Sequence, residues 1–122
     1  MSNKPKILYV DDEEINRHLF KINLSKDYSV LTASNGAEGL DILKSNQEIK
    51  LVVSDMKMSV MNGMDFIKEA KKLYPNLPFF LLTGFDITPQ INEAINSQLI
   101  HAHLKKPFNI DEIKSAFHKV LD

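Results

Sequence analysis

Residues 7–13 read Ile7-Leu-Tyr-Val-Asp-Asp-Glu13, and this stretch decides how the rest of the chain is interpreted. Its apolar half is rich in strand formers and predicts a short β-strand. Two aspartates follow directly, where that strand must end. An Asp pair after a strand is by itself more often a helix N-cap than a metal ligand. Its meaning therefore depends on the segments that follow.

Apolar runs and amphipathic stretches alternate along the whole chain. Further strands are predicted at residues 28–33, 51–53 and 79–82, and a weaker one is marked by Leu99-Ile100 and Leu104. Helices are predicted at 14–25, after Asn35, at 64–73, from Thr88-Pro89 and after Asn109. Five strand–helix units in succession predict an α/β fold, a doubly wound (βα)5 three-layer sandwich with a parallel sheet between helices.

Length and composition limit the classes of protein that fit. The chain has 122 residues, which predicts a single domain over 1–122. Its 15 basic and 16 acidic residues give a net charge of −1, so we expect no direct binding of nucleic acid. It has no cysteine, which excludes thiolate chemistry. We expect a cytoplasmic protein without membrane contact, because no apolar run approaches a span and the N-terminus lacks a hydrophobic signal core.

Polar residues stand where four of the predicted strands end: Asp11 and Asp12, Asp55, Thr83, and Lys106. In a parallel sheet these ends meet at one edge. Three carboxylates together require a cation or a raised pKa, and oxygen-only ligands suit Mg2+. A lysine and a threonine hydroxyl suit the oxygens of a phosphoryl group, which predicts Asp55 as the nucleophile.

The motifs that carry these residues are similar to those of a known family. They are Ile7–Glu13, Val53-Ser-Asp-Met-Lys-Met58 with Gly63, Leu82-Thr-Gly84 and Leu104-Lys-Lys-Pro-Phe108. Over essentially its whole length, the chain resembles the receiver domain of two-component response regulators. The resemblance implies a flavodoxin-like sheet in the order 2-1-3-4-5 and a cis Lys106–Pro107 peptide bond.

The resemblance also implies roles for the residues at the strand ends. Asp55 accepts a phosphoryl group from a sensor histidine kinase or a phosphotransfer protein. Mg2+ is the cofactor, held by Asp11, Asp12, Asp55 and the main-chain carbonyl of Lys57. Thr83 and Lys106 bind the phosphoryl oxygens.

As a whole, the implied function is that of a phosphorylation-activated signalling switch. It changes a surface made of helix 4, strand 5 and helix 5 to control a partner or an output domain, with a phosphorylation-dependent dimer as one option. The chain is not expected to be an enzyme beyond its own phosphorylation and dephosphorylation.

Some positions depart from the family pattern or tune it. His103 stands where receivers usually have Phe or Tyr, and it predicts a less sharply two-state switch that responds to pH between about 5.5 and 7.5. The alternative is that the His103 side chain stays outside and contributes only to a docking surface. Ser59 replaces a usual proline, and Leu99-Ile100 replaces a usual Gly-Ala. Lys57 and Phe85 are predicted to flank the path of hydrolytic water and to prolong the phosphorylated state.

Other classes of function are left as alternatives. A phosphorylation-independent interaction module, a degenerate receiver, would not need the Asp, Thr and Lys set. Aspartyl-phosphate phosphatases have a second Asp two residues after the nucleophile, and here that position is Lys57. A nucleotide-binding role is disfavoured, because the sequence contains neither Gly-x-Gly-x-x-Gly nor Gly-Lys-Ser/Thr.

Overall fold

The computed structural model describes residues 4–58, 61–84, 88–106 and 109–121. Strands and helices alternate along these ranges as predicted. They are β1 (Lys6–Val10), α1 (Glu14–Leu24), β2 (Ser29–Ala33), α2 (Gly36–Ser45), β3 (Ile49–Asp55), α3 (Gly63–Leu73), β4 (Phe79–Thr83), α4 (Pro89–Asn96), β5 (Ala102–Lys105) and α5 (Ile110–Leu121).

The strands form one parallel sheet in the order β2-β1-β3-β4-β5. The register aligns their carboxyl ends, with Val10 opposite both Ala33 and Ser54 and Thr83 opposite Lys105. The predicted fold class and strand order are both confirmed. Residues that follow β1, β3, β4 and β5 therefore share one edge of the sheet.

Both faces of the sheet are covered by helices. Leu8 and Val10 of β1 join a buried cluster with side chains of α2, α3 and α4, whereas Ile7 and Tyr9 join a second cluster with α1 and α5. Successive side chains of a strand point to opposite faces, so a strand buried on both sides must be apolar throughout. This requirement explains the continuous apolar runs that the sequence shows.

Several helices begin at the residues that the sequence indicated. Asn35 accepts a hydrogen bond from the Glu38 backbone N–H at 2.8 Å, and Thr88 accepts one from Ile91 at 3.2 Å. Asn109 accepts one from the Glu112 backbone N–H at 3.0 Å. Each of these side chains satisfies an N–H that has no partner within its helix.

The fifth strand begins later than the sequence predicted, because Leu104 lies in β5 whereas Leu99 and Ile100 do not. Leu99 and Ile100 lie before it, and both of their backbone N–H groups reach the Ala94 carbonyl, at 2.9 and 3.2 Å. Gln98 adopts a left-handed φ of 65°, which turns the chain back at the end of α4. These two backbone hydrogen bonds close the end of α4, and β5 starts only at Ala102.

Helix α1 buries fewer of its apolar residues than the sequence pattern suggested. Phe20 and Leu24 are buried, whereas Ile15, Leu19 and Ile22 are 73%, 42% and 60% exposed. The exposed three follow the i, i+4, i+7 spacing of a single helix face. In the part of the chain that the structure describes, no helix has the length and apolarity needed to cross a membrane.

Candidate functional site

The aligned strand ends bring the predicted acidic residues together. Asp11 follows β1 and Asp55 is the last residue of β3, the neighbouring strand. One carboxylate oxygen each from Asp11, Asp12 and Asp55 lies within 4.8 Å of the others. Asp11 and Asp55 are buried and Asp12 is exposed, so the cluster sits at the surface end of the sheet. Three carboxylates at this spacing repel each other strongly unless a cation joins them.

Lys106 supplies a positive charge to this cluster. Its Nζ lies 2.8 Å from Asp55 Oδ1 and 4.0 Å from Asp11 Oδ2. Burial and the charges of Asp11 and Asp12 raise the pKa of Asp55, although the hydrogen bond from Lys106 opposes that rise. Burial alone would lower the pKa of Lys106, but its hydrogen bond to Asp55 and the nearby acidic charges outweigh burial and raise it.

Thr83 completes the arrangement from β4. It is buried, it is the last residue of its strand, and its carbonyl accepts a hydrogen bond from the Lys106 backbone N–H at 2.8 Å. With Asp12, Lys57 and Gln90 it lines an open cleft of about 590 Å³ beside the acidic cluster. A small charged group could therefore enter between the threonine and the carboxylates.

Gly63 shows how closely the chain packs behind Asp55. A Cβ added at this position would lie 2.1 Å from the Asp55 carbonyl oxygen, which no larger residue could tolerate without backbone movement. The Gly63 N–H also donates to the Met56 carbonyl at 2.8 Å. The glycine thus lets α3 start directly against the backbone that carries Asp55.

Asp11 has a hydrogen-bond partner, the Tyr9 hydroxyl, that the sequence motifs did not indicate. The Tyr9 hydroxyl donates to Asp11 Oδ2 at 2.5 Å, and the Glu13 backbone N–H donates to Oδ1 at 3.0 Å. Burial and the hydrogen bond to Asp11 raise the pKa of Tyr9 far above its usual range, so the hydroxyl remains a donor. Tyr9 lies on β1 and Asp11 lies one residue past the end of that strand. A spacing of two residues places side chains on the same side of an extended chain, and this spacing was the available signal.

The remaining predicted residues lie around the cluster or outside the described ranges. Lys57 is exposed in the loop after β3, and His103 lies on β5 opposite Leu81. Within the described ranges, the buried Nε2 of His103 has no hydrogen-bond partner. Phe85, Ser59 and the Lys106–Pro107 bond with its predicted cis isomer fall outside those ranges.

The family model described as the response regulator receiver domain matches residues 7–118. The chain belongs to this family. Receiver domains act with sensor kinases or phosphotransfer proteins in two-component systems. In this chain, the acidic cluster of Asp11, Asp12 and Asp55 could hold a metal ion.

Similar proteins include both long regulators and short ones. Over 124 aligned residues the receiver domain is 36% identical to the transcriptional regulatory protein GlrR of Escherichia coli, covering all of this chain but only 28% of that protein's length. It is 34% identical to sporulation initiation phosphotransferase F of Bacillus subtilis, covering 95% of this chain and 93% of the relative.

A solved structure shows the same fold with ligands bound. The response regulator protein TrrA of Thermotoga maritima, determined in complex with Mg2+ and BeF, is 32% identical and superposes with a TM-score of 0.82. The match covers 95% of this chain and 98% of that one.

Proposed function

We propose that this receiver domain accepts a phosphoryl group on Asp55 in a reaction that needs Mg2+, and that phosphorylation switches its contact with a partner or an output domain. The observation that carries the proposal is the Lys106 ammonium, 2.8 Å from the Asp55 carboxylate inside a three-carboxylate cluster. A cation placed there neutralises negative charge that develops on a transferred group.

In the proposed reaction, a carboxylate oxygen of Asp55 attacks the phosphorus of a phosphohistidine on a sensor kinase or phosphotransfer protein. A P–O bond forms while the P–N bond breaks, and its electron pair returns to the imidazole nitrogen. The Thr83 hydroxyl and the Lys106 ammonium hold two of the phosphoryl oxygens. Apart from this transfer and the later hydrolysis of its own acyl phosphate, we propose no enzymatic activity.

The acidic cluster fits Mg2+ as cofactor. Its ligands are carboxylate oxygens close enough to share one ion, and the exposed position of Asp12 leaves room for the waters that Mg2+ retains. We assign Asp11, Asp12, Asp55 and the main-chain carbonyl of Lys57 as the groups that hold it. When bound, the ion would offset the repulsion among the carboxylates and the phosphoryl group.

Helix α1 is the proposed docking surface for the phosphodonor. The helix begins two residues after Asp12, so a donor that reaches Asp55 passes beside it. Ile15, Leu19 and Ile22 form an exposed apolar stripe along this helix, and a helical partner could bury that stripe by packing alongside. We therefore propose that the donor presents its phosphohistidine on a helix.

The proposed output surface comprises α4, β5 and α5, on the other side of the site. Lys106 directly follows β5, and His103 lies three residues earlier on the same strand. A new phosphoryl charge held by Lys106 and Thr83 would pull on β5 and on the end of β4.

Lys57, exposed beside Asp55, is the residue that we propose limits the access of hydrolytic water.

Incubation with phosphoramidate and Mg2+, followed by intact-mass measurement, tests the acceptor. The wild type should gain one phosphoryl group, and neither Asp55→Asn nor a sample with excess EDTA should gain it. Asp41→Asn is the matched control, because Asp41 is exposed on α2 away from the site. Absence of labelling in the wild type would contradict the proposal and would favour a phosphorylation-independent interaction module. Full labelling of the Asp55→Asn variant would show that the acceptor has been misassigned.

A further inference from the structure

Tyr9 makes an unusual contact for a residue in the middle of an apolar core. It is fully buried, and its ring stacks on that of Phe20 with the centroids 4.1 Å apart and the planes within 8°. Its hydroxyl ends at Asp11 Oδ2, at 2.5 Å. Helix α1 thus fixes the plane of the ring through Phe20, and the ring fixes where the hydroxyl points.

Two donors hold the Asp11 carboxylate from opposite oxygens. Tyr9 donates to Oδ2 and the Glu13 backbone N–H donates to Oδ1 at 3.0 Å. One donor alone would leave the carboxylate able to rotate about its Cβ–Cγ bond, whereas one donor on each oxygen prevents that rotation. Because Asp11 is fully buried, bulk water cannot replace a lost donor, and a buried charge without donors is costly.

Lys106 is positioned to compete for the same oxygen. Its Nζ is 4.0 Å from Asp11 Oδ2 and 2.8 Å from Asp55 Oδ1, so it pairs mainly with Asp55 while Tyr9 occupies Asp11. Without the Tyr9 hydroxyl, Oδ2 would lose its nearest donor, and a rotation toward Lys106 would give it a replacement. Asp11 and Lys106 would then form an ion pair that a metal ion must break before it can bind.

We infer that Tyr9 is a positioning residue for the metal site, holding Asp11 turned toward the acidic cluster and away from Lys106. The inference rests on the Mg2+ requirement in the proposed function and adds to it the residue that orients one ligand. Groups that orient a metal ligand through its second oxygen or nitrogen commonly change metal affinity by about 10- to 100-fold when removed. We expect about a tenfold loss, because the Glu13 donor remains.

Titration of the unphosphorylated protein with MgCl2, followed by 1H–15N NMR, tests this role without any phosphodonor. Tyr9→Phe keeps the stacked ring and removes the hydroxyl, and its Mg2+ dissociation constant should rise about tenfold. Tyr28→Phe is the matched control. Tyr28 is buried in the same apolar cluster, but it precedes β2 at the opposite end of the sheet, so its change should be less than twofold.

A second background separates positioning from a general loss of structure. In Lys106→Ala the competing ammonium is gone, so adding Tyr9→Phe should weaken Mg2+ binding much less than it does in the wild type. Equal losses in the two backgrounds, equal losses for Tyr9→Phe and Tyr28→Phe, or an unchanged affinity in Tyr9→Phe would each overturn the positioning role.

A measurement on the wild type covers the case in which Tyr9→Phe does not fold. The 13Cζ resonance of Tyr9 should shift with the same Mg2+ dependence as the Asp11 carboxyl resonance, while that of Tyr28 stays constant. A Tyr9 13Cζ chemical shift that stays unchanged at saturating Mg2+ would overturn the inference. Tyr9-dependent Mg2+ binding in a protein that never labels on Asp55 would support the inference and contradict the proposed phosphotransfer. A wild type that binds no Mg2+ would overturn both.

Discussion

Asp55→Asn should stabilise the metal-free protein, although it removes the proposed acceptor. The pKa of Asp55 is raised in the folded state by burial and by the charges of Asp11 and Asp12. A carboxyl with a raised folded pKa loses stability as pH rises from its unfolded value, about 4, through the folded value. The gain from Asp55→Asn should therefore be absent near pH 4 and complete at neutral pH.

The size of the gain follows from the geometry of the cluster. At an effective dielectric constant of about 20, two charges 4.8 Å apart interact by about 3.5 kcal/mol, and Asp55 faces two carboxylates at or within that distance. The attraction to Lys106 at 2.8 Å is about 6 kcal/mol on the same scale and nearly cancels the two repulsions. The remaining repulsion is about 1 kcal/mol and burial adds to it, so we expect Asp55→Asn to raise the free energy of unfolding by about 1–2 kcal/mol.

Urea unfolding monitored by far-UV circular dichroism measures this gain. In EDTA at pH about 7.5 the Asp55→Asn variant should be more stable than the wild type. At an Mg2+ concentration about 100 times the dissociation constant, the wild type should gain about 2.7 kcal/mol and become the more stable of the two. Asp41→Asn should change little under either condition.

Three results would refute this reasoning. The first is destabilisation by Asp55→Asn in EDTA, which would mean that the ion pair with Lys106 outweighs the repulsion. The second is a gain that persists undiminished near pH 4, which would show that it does not arise from the Asp55 charge. The third is equal stabilisation of both proteins by Mg2+, which would place the ion away from Asp55.

Four further variants test other parts of the proposal. Lys106→Ala should still label on Asp55 with phosphoramidate, but the phosphorylation-induced chemical-shift changes across β5 should largely disappear, since the ammonium that contacts the new charge is gone. In His103→Tyr the size of those changes should differ from that in the wild type, because His103 lies on β5 three residues before Lys106, and changes of identical size in both proteins would contradict a switch role. Lys57→Asn should shorten the lifetime of the phosphorylated protein after the donor is removed, whereas an unchanged decay would exclude gating by this side chain. Ile15→Ser should slow phosphotransfer from a phosphorylated histidine phosphotransfer protein about tenfold but not labelling by phosphoramidate, while Leu73→Ser, which alters an exposed leucine on α3, should leave both rates unchanged.

The sequence was sufficient for the fold because each strand–helix unit is encoded locally. Continuous apolar runs indicated strands buried on both faces. Asn35, Thr88 and Asn109 indicated helix starts, because each N-cap side chain accepts a hydrogen bond from a backbone N–H only three residues further along the chain. The fifth strand was the exception. The apolar pair Leu99-Ile100 is compatible with either a strand or the end of a helix. The left-handed backbone of Gln98, which the sequence pattern does not indicate, places the pair at the end of α4.

The sequence by itself also determined which residues meet at the carboxyl edge of the sheet, because parallel strands bring their ends together whatever the side chains do. Only the tertiary structure decided how those residues contact each other. The division of Lys106 between Asp55 and Asp11, and the Tyr9 hydroxyl on Asp11, depend on side-chain torsions that spacing along the chain does not constrain. Helix α1 has apolar residues on two faces, and the sheet can cover only one of these faces. Because Phe20 packs against Tyr9 of the sheet, the opposite face with Ile15 remains exposed.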